Sequence, residues 1–412
     1  VVKIPQRAAA VDAIRGLSLL GILLANMLIF QYGMYGKDEL HLFHPTTTDT
    51  LGHRLVQVLV EGSFMPIFTF LFGYSMIKMR DALTARGRTS RWSFIRRSLA
   101  LIGLGIGHGY YLWEGDILIF YGAITLLLLF FLKRKPRTLI LWGALFLTLT
   151  GIVSLGAAEK NLEETQRLES YVTETTHVYQ SGSYSEIMDY RLNSEPPLDL
   201  PEWVMLIVIL IVPFMNAPMF LFGMAAAKKG RFLQPSAEAT TYLRWSLLVP
   251  LGLVLKTAAV LLGSTHALSG VCIVLGGQLL ALGYIHLFAL LYAKAPSSSL
   301  AFRGFEAVGR MSLTNYLLQT VISTSIFYGY GLGQFGRLGV WPGILLALAI
   351  YMAQAAASLL WLEKFRSGPV ERLMRSLTYW TWSGRIKPKL AKLRRAAEES
   401  RQAGRDAPSP TG

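Results

Sequence analysis

Basic loops divide the chain into apolar runs long enough to cross a bilayer, and that repetition limits the fold more than any motif does. A hydrocarbon core about 30 Å thick needs roughly 20 apolar residues at a helical rise of 1.5 Å each. Ten runs are expected to span, near 14–30, 54–77, 98–113, 116–132, 138–157, 203–226, 244–263, 270–293, 311–331 and 341–362. The third is short, as in a hairpin that stops within the membrane's depth. With 52% hydrophobic residues and a mean hydropathy of +0.41 over 412 residues, a soluble globular class is excluded. No strand-like alternation runs through the apolar segments, and in lipid the helix is then the way left to satisfy the backbone. The expected class is all-α, a polytopic transmembrane helical bundle.

Charge asymmetry sets the orientation. One set of loops holds Arg80, Arg86, Arg88, Arg91, Arg96 and Arg97, then Lys133–Arg137, then Lys228–Arg231, then Lys294, Arg303 and Arg310. The opposite set is nearly free of Lys and Arg, and its longest member, 158–201, is acidic. Both termini are therefore expected in the cytoplasm. The net charge of +15 follows from this topology and does not call for nucleic acid. The first run, behind Lys3 and Arg7, reads as an uncleaved span because Asp12 and Arg15 intrude at its start and no small-residue cleavage signal follows Phe30. The single cysteine, Cys272, excludes an intrachain disulfide and a cysteine-based metal site.

A helical domain is expected over 1–362, with its outer loop at 158–201 containing a helix near 159–179. That helix is either a lid over an outward opening or a solvated linker. Residues 363–386, with Tyr379, Trp380 and Trp382 among arginines, read as an interfacial amphipathic helix. Residues 387–412 read as a charged, partly disordered cytoplasmic tail. Phe64–Gly73 (FMPIFTFLFG) echoes Phe214–Gly223 (FMNAPMFLFG), either as an internal repeat or as two membrane helices of similar composition.

The polar residues inside the runs are the candidate chemistry. Arg96–Gly122 (RRSLALIGLGIGHGYYLWEGDILIFYG) reads as two apolar helices joined by a turn at Trp113–Asp116. His108 falls about 15 Å beyond the arginine pair, among glycines 103, 105, 107 and 109 that let another group approach closely. Asp116 follows across the turn. Asn26, Glu61, His108 and Asp116 share a depth at or outward of the midplane, which suits a water-accessible chamber or a set of separate helix-packing bonds. Ser312, Asn315 and Gln319 form a stripe at i, i+3 and i+7 that lines a ligand path or glues two helices. His41, His44 and His53 lack the spacing of a metal site, and none is expected. Walker A, Rossmann, nucleophile-elbow and HExxH patterns are absent from the sequence.

Taken together, VDAIRGLSLLGILLANM, FTFLFG, GHGYYLWEGDILIFYG, GRMSLTNYLLQT and SGPVERLMRSLT resemble the YeiB family of bacterial inner-membrane proteins, and the motifs run from residue 12 to 378. That family is grouped by fold with the transmembrane acyltransferases, including heparan-α-glucosaminide N-acetyltransferase and O-acyltransferases of bacterial surface glycans. The resemblance implies a bundle that takes an acyl group, acetyl foremost, from cytoplasmic acyl-CoA and passes it to an acceptor on the far side. Such chemistry needs a base, met here by His108, with Asp116 or Glu61 fixing its tautomer. Arg15, Arg96, Arg97 and Arg310 suit the CoA phosphates, with Asn26, Asn315 and Gln319 completing the donor site. Asn26 or Asn315 suits the thioester carbonyl as charge builds on it. Expected partners are a small-molecule or glycan acceptor, membrane lipid and, as an option, a second copy in a homodimer. The competing classes are a small-solute transporter or exporter with a His108–Asp116 proton relay, and a non-catalytic membrane partner protein.

Overall fold

The computed structural model describes residues 8–156, 162–197, 202–296 and 298–384, without the side chains of 202 and 204–212. The tail reading at 387–412 lies outside the described residues. Those residues form helices joined by turns and short 3-10 segments: α1 (Ala9–Tyr32), α2 (Thr47–Leu59), α3 (Phe64–Thr84), α4 (Arg91–Tyr111), α5 (Leu118–Leu128), α6 (Pro136–Val153), α7 (Leu162–Ser181), α8 (Tyr184–Asn193), α9 (Glu202–Lys228), α10 (Ala239–Ser246), α11 (Leu248–Leu262), α12 (Ser269–Lys294), α13 (Leu300–Arg310), α14 (Ser312–Phe327), α15 (Val340–Lys364) and α16 (Pro369–Tyr379). Among the described residues, six helical stretches are long and apolar enough to cross a membrane, which makes this a multi-pass membrane protein by helix length and composition.

α1 is the central post, packed against α3, α12, α13, α14 and α15. Lipid tails are as apolar as leucine, so helices in a membrane associate through close packing at small residues. Two reciprocal glycine crossings supply it. A Cβ on Gly16 of α1 would lie 2.0 Å from the Phe305 carbonyl oxygen of α13, and one on Gly309 of α13 would lie 1.8 Å from that of Asp12. Gly73 of α3 and Gly223 of α9 repeat the device, at 2.1 Å from the Phe220 oxygen and 1.9 Å from the Phe70 oxygen. The two Phe-Leu-Phe-Gly segments that echo each other in sequence are therefore each other's packing partners.

The single run expected over 54–77 is two helices. α2 ends at Leu59 and α3 begins at Phe64, with Gly62 between them at φ +67°. Hydrophobicity continues across the break, but Glu61-Gly62-Ser63 cannot continue the helix. The carbonyl freed at Glu61 accepts a hydrogen bond from the buried Lys256 ammonium of α11 at 2.7 Å. Irregular backbone at this depth is tolerated because protein, not lipid, satisfies it.

The basic loops lie together: Arg80 and Lys228 donate to the carbonyls of Leu132 and Arg134, and Arg96 lies over the Trp380 ring. At the opposite end α7 and α8 fold over the α4–α5 turn. Ser183 and Glu186 form a capping box that starts α8, with the Ser183 amide donating to Glu186 at 2.7 Å. α16 does not stand apart from the bundle. It packs on α4 and α14 through buried Met374 and Thr378, while Leu373 and Leu377 remain exposed on it, as do Trp380 and Trp382 just past its end.

Candidate functional site

The turn after α4 places Asp116 beside His108. Oδ2 of Asp116 accepts the Ile119 amide at 2.9 Å and so ties the carboxylate to the start of α5. Gly105 makes room for it, since a Cβ there would lie 2.6 Å from that oxygen. Gly103 and Gly107 have no neighbour within 4 Å, so of the four expected close approaches Gly105 is the tight one. Oδ1 of Asp116 is 2.9 Å from Nδ1 of His108, and the two side chains are 3% and 1% exposed. An ionised carboxylate only accepts, so Nδ1 carries the proton and donates. Nε2 lies 3.0 Å from the Thr320 hydroxyl of α14, which donates to it when the ring is neutral.

Aromatic rings enclose the pair. Trp113 is buried against Phe30 at a centroid distance of 4.4 Å, and the Tyr316 ring lies 5.3 Å from His108. The hydroxyls of Tyr121 and Tyr316 are buried without a hydrogen-bond partner among the described residues. Of the two, Tyr316 lies beside His108, while Tyr121 packs on Phe72 and Phe220 and borders a cavity rich in arginine.

Toward the basic end a cavity of ≈ 230 Å³ opens, lined by four arginines, Arg15, Arg97, Arg310 and Arg375, against one carboxylate, Glu371. Glu371 is already committed, accepting the Leu313 amide at 2.7 Å, the Thr314 amide at 3.1 Å and the Thr314 hydroxyl at 2.6 Å. Arg15 pairs with Asp12 at 3.1 Å and donates to Ser75 at 2.7 Å. Arg97 lies over the Phe72 ring. The lining is therefore net positive and suits a multiply charged anion. Tyr121 and Leu101 also border it, and His108 is seven residues beyond Leu101 on α4, about 10 Å at the helical rise.

Toward the acidic end, Glu114 pairs with Arg191 of α8 at 3.1 Å and accepts from the Tyr179 hydroxyl of α7 at 3.2 Å. Arg191 also donates to the carbonyls of Gly109 and Leu112, and Tyr184 to that of Tyr111 at 2.8 Å. A second cavity, ≈ 260 Å³, lies here between the α1 end and the α7–α8 pair. The buried dyad thus sits between two cavities.

The remaining expected site residues are placed as follows. Arg15, Arg97 and Arg310 share the basic cavity, whereas Arg96 turns away to Trp380, because neighbours on a helix point about 100° apart. The carboxylate on His108 is Asp116 and not Glu61. Glu61 pairs with Lys37 at 2.6 Å and lines a separate cavity of ≈ 890 Å³ with His53 and Lys256. Burial alone would push the Lys37 ammonium down, but Glu61 and Asp38 outweigh it and hold it above the usual lysine range. Asn26 is half-buried on α1, outside the linings of these cavities. Asn315 donates to Ser358 at 3.0 Å and Gln319 to Gln354 at 3.0 Å, so the polar stripe of α14 fastens it to α15. Arg375, Tyr121 and Thr320 were not singled out from sequence, although all three sit in the quoted motifs. Thr320 lies at i+8 from Ser312, about 80° further round the helix, and so beside the stripe.

The family description "Protein of unknown function (DUF418)" matches residues 226–381, from the end of α9 through α16. The match includes Arg310, Thr320 and Arg375. The chain is 31% identical over 389 residues to uncharacterized protein YxaH of Bacillus subtilis (strain 168), covering 92% of this chain and 95% of that one. It is 28% identical over 402 residues to uncharacterized protein YeiB of Escherichia coli (strain K12), covering 90% and 96%. An uncharacterized 39.9 kDa protein of Bacillus acidopullulyticus is 25% identical over 389 residues. With a near full-length relative above 30% identity, the chain belongs to the same family as YxaH; it is also similar to YeiB, and its residues 226–381 match DUF418.

Proposed function

We propose that this protein is a transmembrane acyltransferase of the bacterial inner membrane, passing an acyl group, acetyl foremost, from cytoplasmic acyl-CoA to a hydroxyl or amine acceptor outside. The observation that carries this reading is a buried histidine–carboxylate pair placed about 10 Å beyond a cavity of four arginines. In this reading the arginines grip the CoA phosphates at the cavity mouth and the extended pantetheine arm reaches toward His108. Arg375 takes the donor role first given to Arg96. Asn315 is engaged with α15, so Tyr121 and Tyr316 take over as donors to the thioester oxygen. A preorganised donor of that kind is worth about 10²–10³ in rate, and a general base about 10²–10⁴. Asp116 holds the imidazole in the right tautomer and stabilises the cation it becomes. Placement with the transmembrane acyltransferases, ten spans and cytoplasmic termini belong to the same proposal.

The donor site has a direct test. Arg97→Ala should weaken acetyl-CoA binding about tenfold or more, as loss of one charge-assisted contact does, and the difference should shrink at high salt. Arg96→Ala, which removes only the contact with Trp380, should leave binding nearly unchanged. Equal effects from the two, or none from Arg97→Ala, would remove the arginine cavity from the donor site. Solute movement in liposomes without thioester cleavage would favour a transporter.

Topology is tested separately. In a Cys272→Ser background, a cysteine placed at the exposed Ser181 position should react with an impermeant maleimide on intact spheroplasts. Labelling only after lysis would reverse the orientation.

A further inference from the structure

We infer that Thr320 is a covalent nucleophile, carrying the acyl group between the donor and acceptor sides as a threonyl ester. This rests on the acyltransferase reading and goes beyond its general base. Three observations lead to it. First, Thr320 Oγ1, His108 Nε2, His108 Nδ1 and Asp116 Oδ1 form one line of hydrogen bonds, 3.0 Å and 2.9 Å long. That is the order of nucleophile, base and orienting carboxylate.

Second, the Thr320 hydroxyl is not spent on its own helix. Threonines inside helices commonly bond the carbonyl four residues back. Thr125, Thr150 and Thr378 do so here at 2.6, 2.7 and 2.6 Å. The same contact from Thr320 to Tyr316 is stretched to 3.5 Å, and the hydroxyl is turned to the histidine instead.

Third, the arginine cavity and the outer cavity lie on opposite sides of the dyad. Neither is lined by His108 or Thr320, which are 3% and 1% exposed. Direct transfer requires donor and acceptor to meet at one point, whereas a protein-borne ester lets each be met in turn from its own side.

The steps balance. Thr320 Oγ gives its proton to His108 Nε2 and attacks the thioester carbonyl. The carbon–sulfur bond breaks, and the CoA sulfur leaves as a thiol with the proton from the imidazolium. An acceptor hydroxyl or amine then loses its proton to Nε2 and attacks the ester carbonyl. The Thr320 oxygen leaves and takes that proton back.

The experiment uses the purified full chain with radiolabelled acetyl-CoA, in the absence and presence of a cell-envelope extract as acceptor source. Without extract, about one equivalent of CoA thiol per protein should be released, with label on the Thr320 peptide that hydroxylamine removes. Thr320→Val is nearly isosteric. It should bind acetyl-CoA normally, take no label and lose at least about a hundredfold in transfer. Thr320→Ser should keep both label and transfer. Thiol release only with extract, label on His108, or near-normal transfer by Thr320→Val would each overturn the nucleophile while leaving acyl transfer intact. Absence of thiol release with and without extract would overturn both.

Discussion

His108→Ala is expected to lower acyl transfer by at least about a hundredfold while the protein still folds and still binds acetyl-CoA. The imidazole is the base that both steps share, and a base of this kind is worth about 10²–10⁴ in rate. The phosphate grip lies about 10 Å away in the arginine cavity, so binding should survive. Asp116→Asn should cost less than His108→Ala if the carboxylate acts only through the imidazole, and it should shift the pH profile by removing a charge that stabilises the cation. Glu61→Gln should leave turnover near normal, because Glu61 belongs with Lys37 and not with His108. Activity per folded molecule, read beside the melting temperature, separates catalysis from packing. A structural pair would give the reverse pattern, with lower melting temperatures and a normal specific activity in the surviving fraction. Normal turnover in well-folded His108→Ala protein would remove His108 from the mechanism.

His108 and Asp116 were legible in sequence because only eight positions and a Gly-containing turn separate them, so any hairpin brings them together. The arginines were legible as a basic loop but not one by one. Arg96 and Arg97 are adjacent, and a helix cannot turn both toward one cavity. Arg375 was hidden by the amphipathic character of its own segment, which suits a membrane surface as well as a bundle. Burial of Met374 and Thr378 against α4 and α14 is a tertiary fact with no local signal. Glu61 was misplaced for a different reason. Its depth was read from an unbroken span, and the break at Gly62 moves it to the mouth of another cavity. The stripe on α14 showed two functions side by side: Asn315 and Gln319 bond to α15, while Tyr316 and Thr320, one position further round, face His108.

The α1–α13 crossing gives the largest effect expected on stability. Gly309→Ala would put a methyl carbon 1.8 Å from the Asp12 carbonyl oxygen and 2.8 Å from the Gly16 nitrogen. Both obstacles are backbone, so no side-chain rotation relieves the clash and the two helices must part. Separating them also breaks the reciprocal seat of Gly16 on Phe305. Overpacking a tight site usually costs 1–3 kcal/mol, and a clash with rigid backbone belongs at the upper end, roughly 3 kcal/mol or more. Arg15 and Arg310 adjoin these two glycines and both line the arginine cavity, so the surviving folded fraction should also bind acetyl-CoA more weakly. Gly103→Ala is the control. Nothing lies within 4 Å of its added carbon, and alanine is the better helix former by up to about 1 kcal/mol, so stability should hold or rise slightly. Thermal unfolding in detergent, with acetyl-CoA binding measured on the folded fraction, reads both effects. If Gly309→Ala melts with the wild type, α1 and α13 do not cross at this distance, and Arg15 and Arg310 are not held together by it.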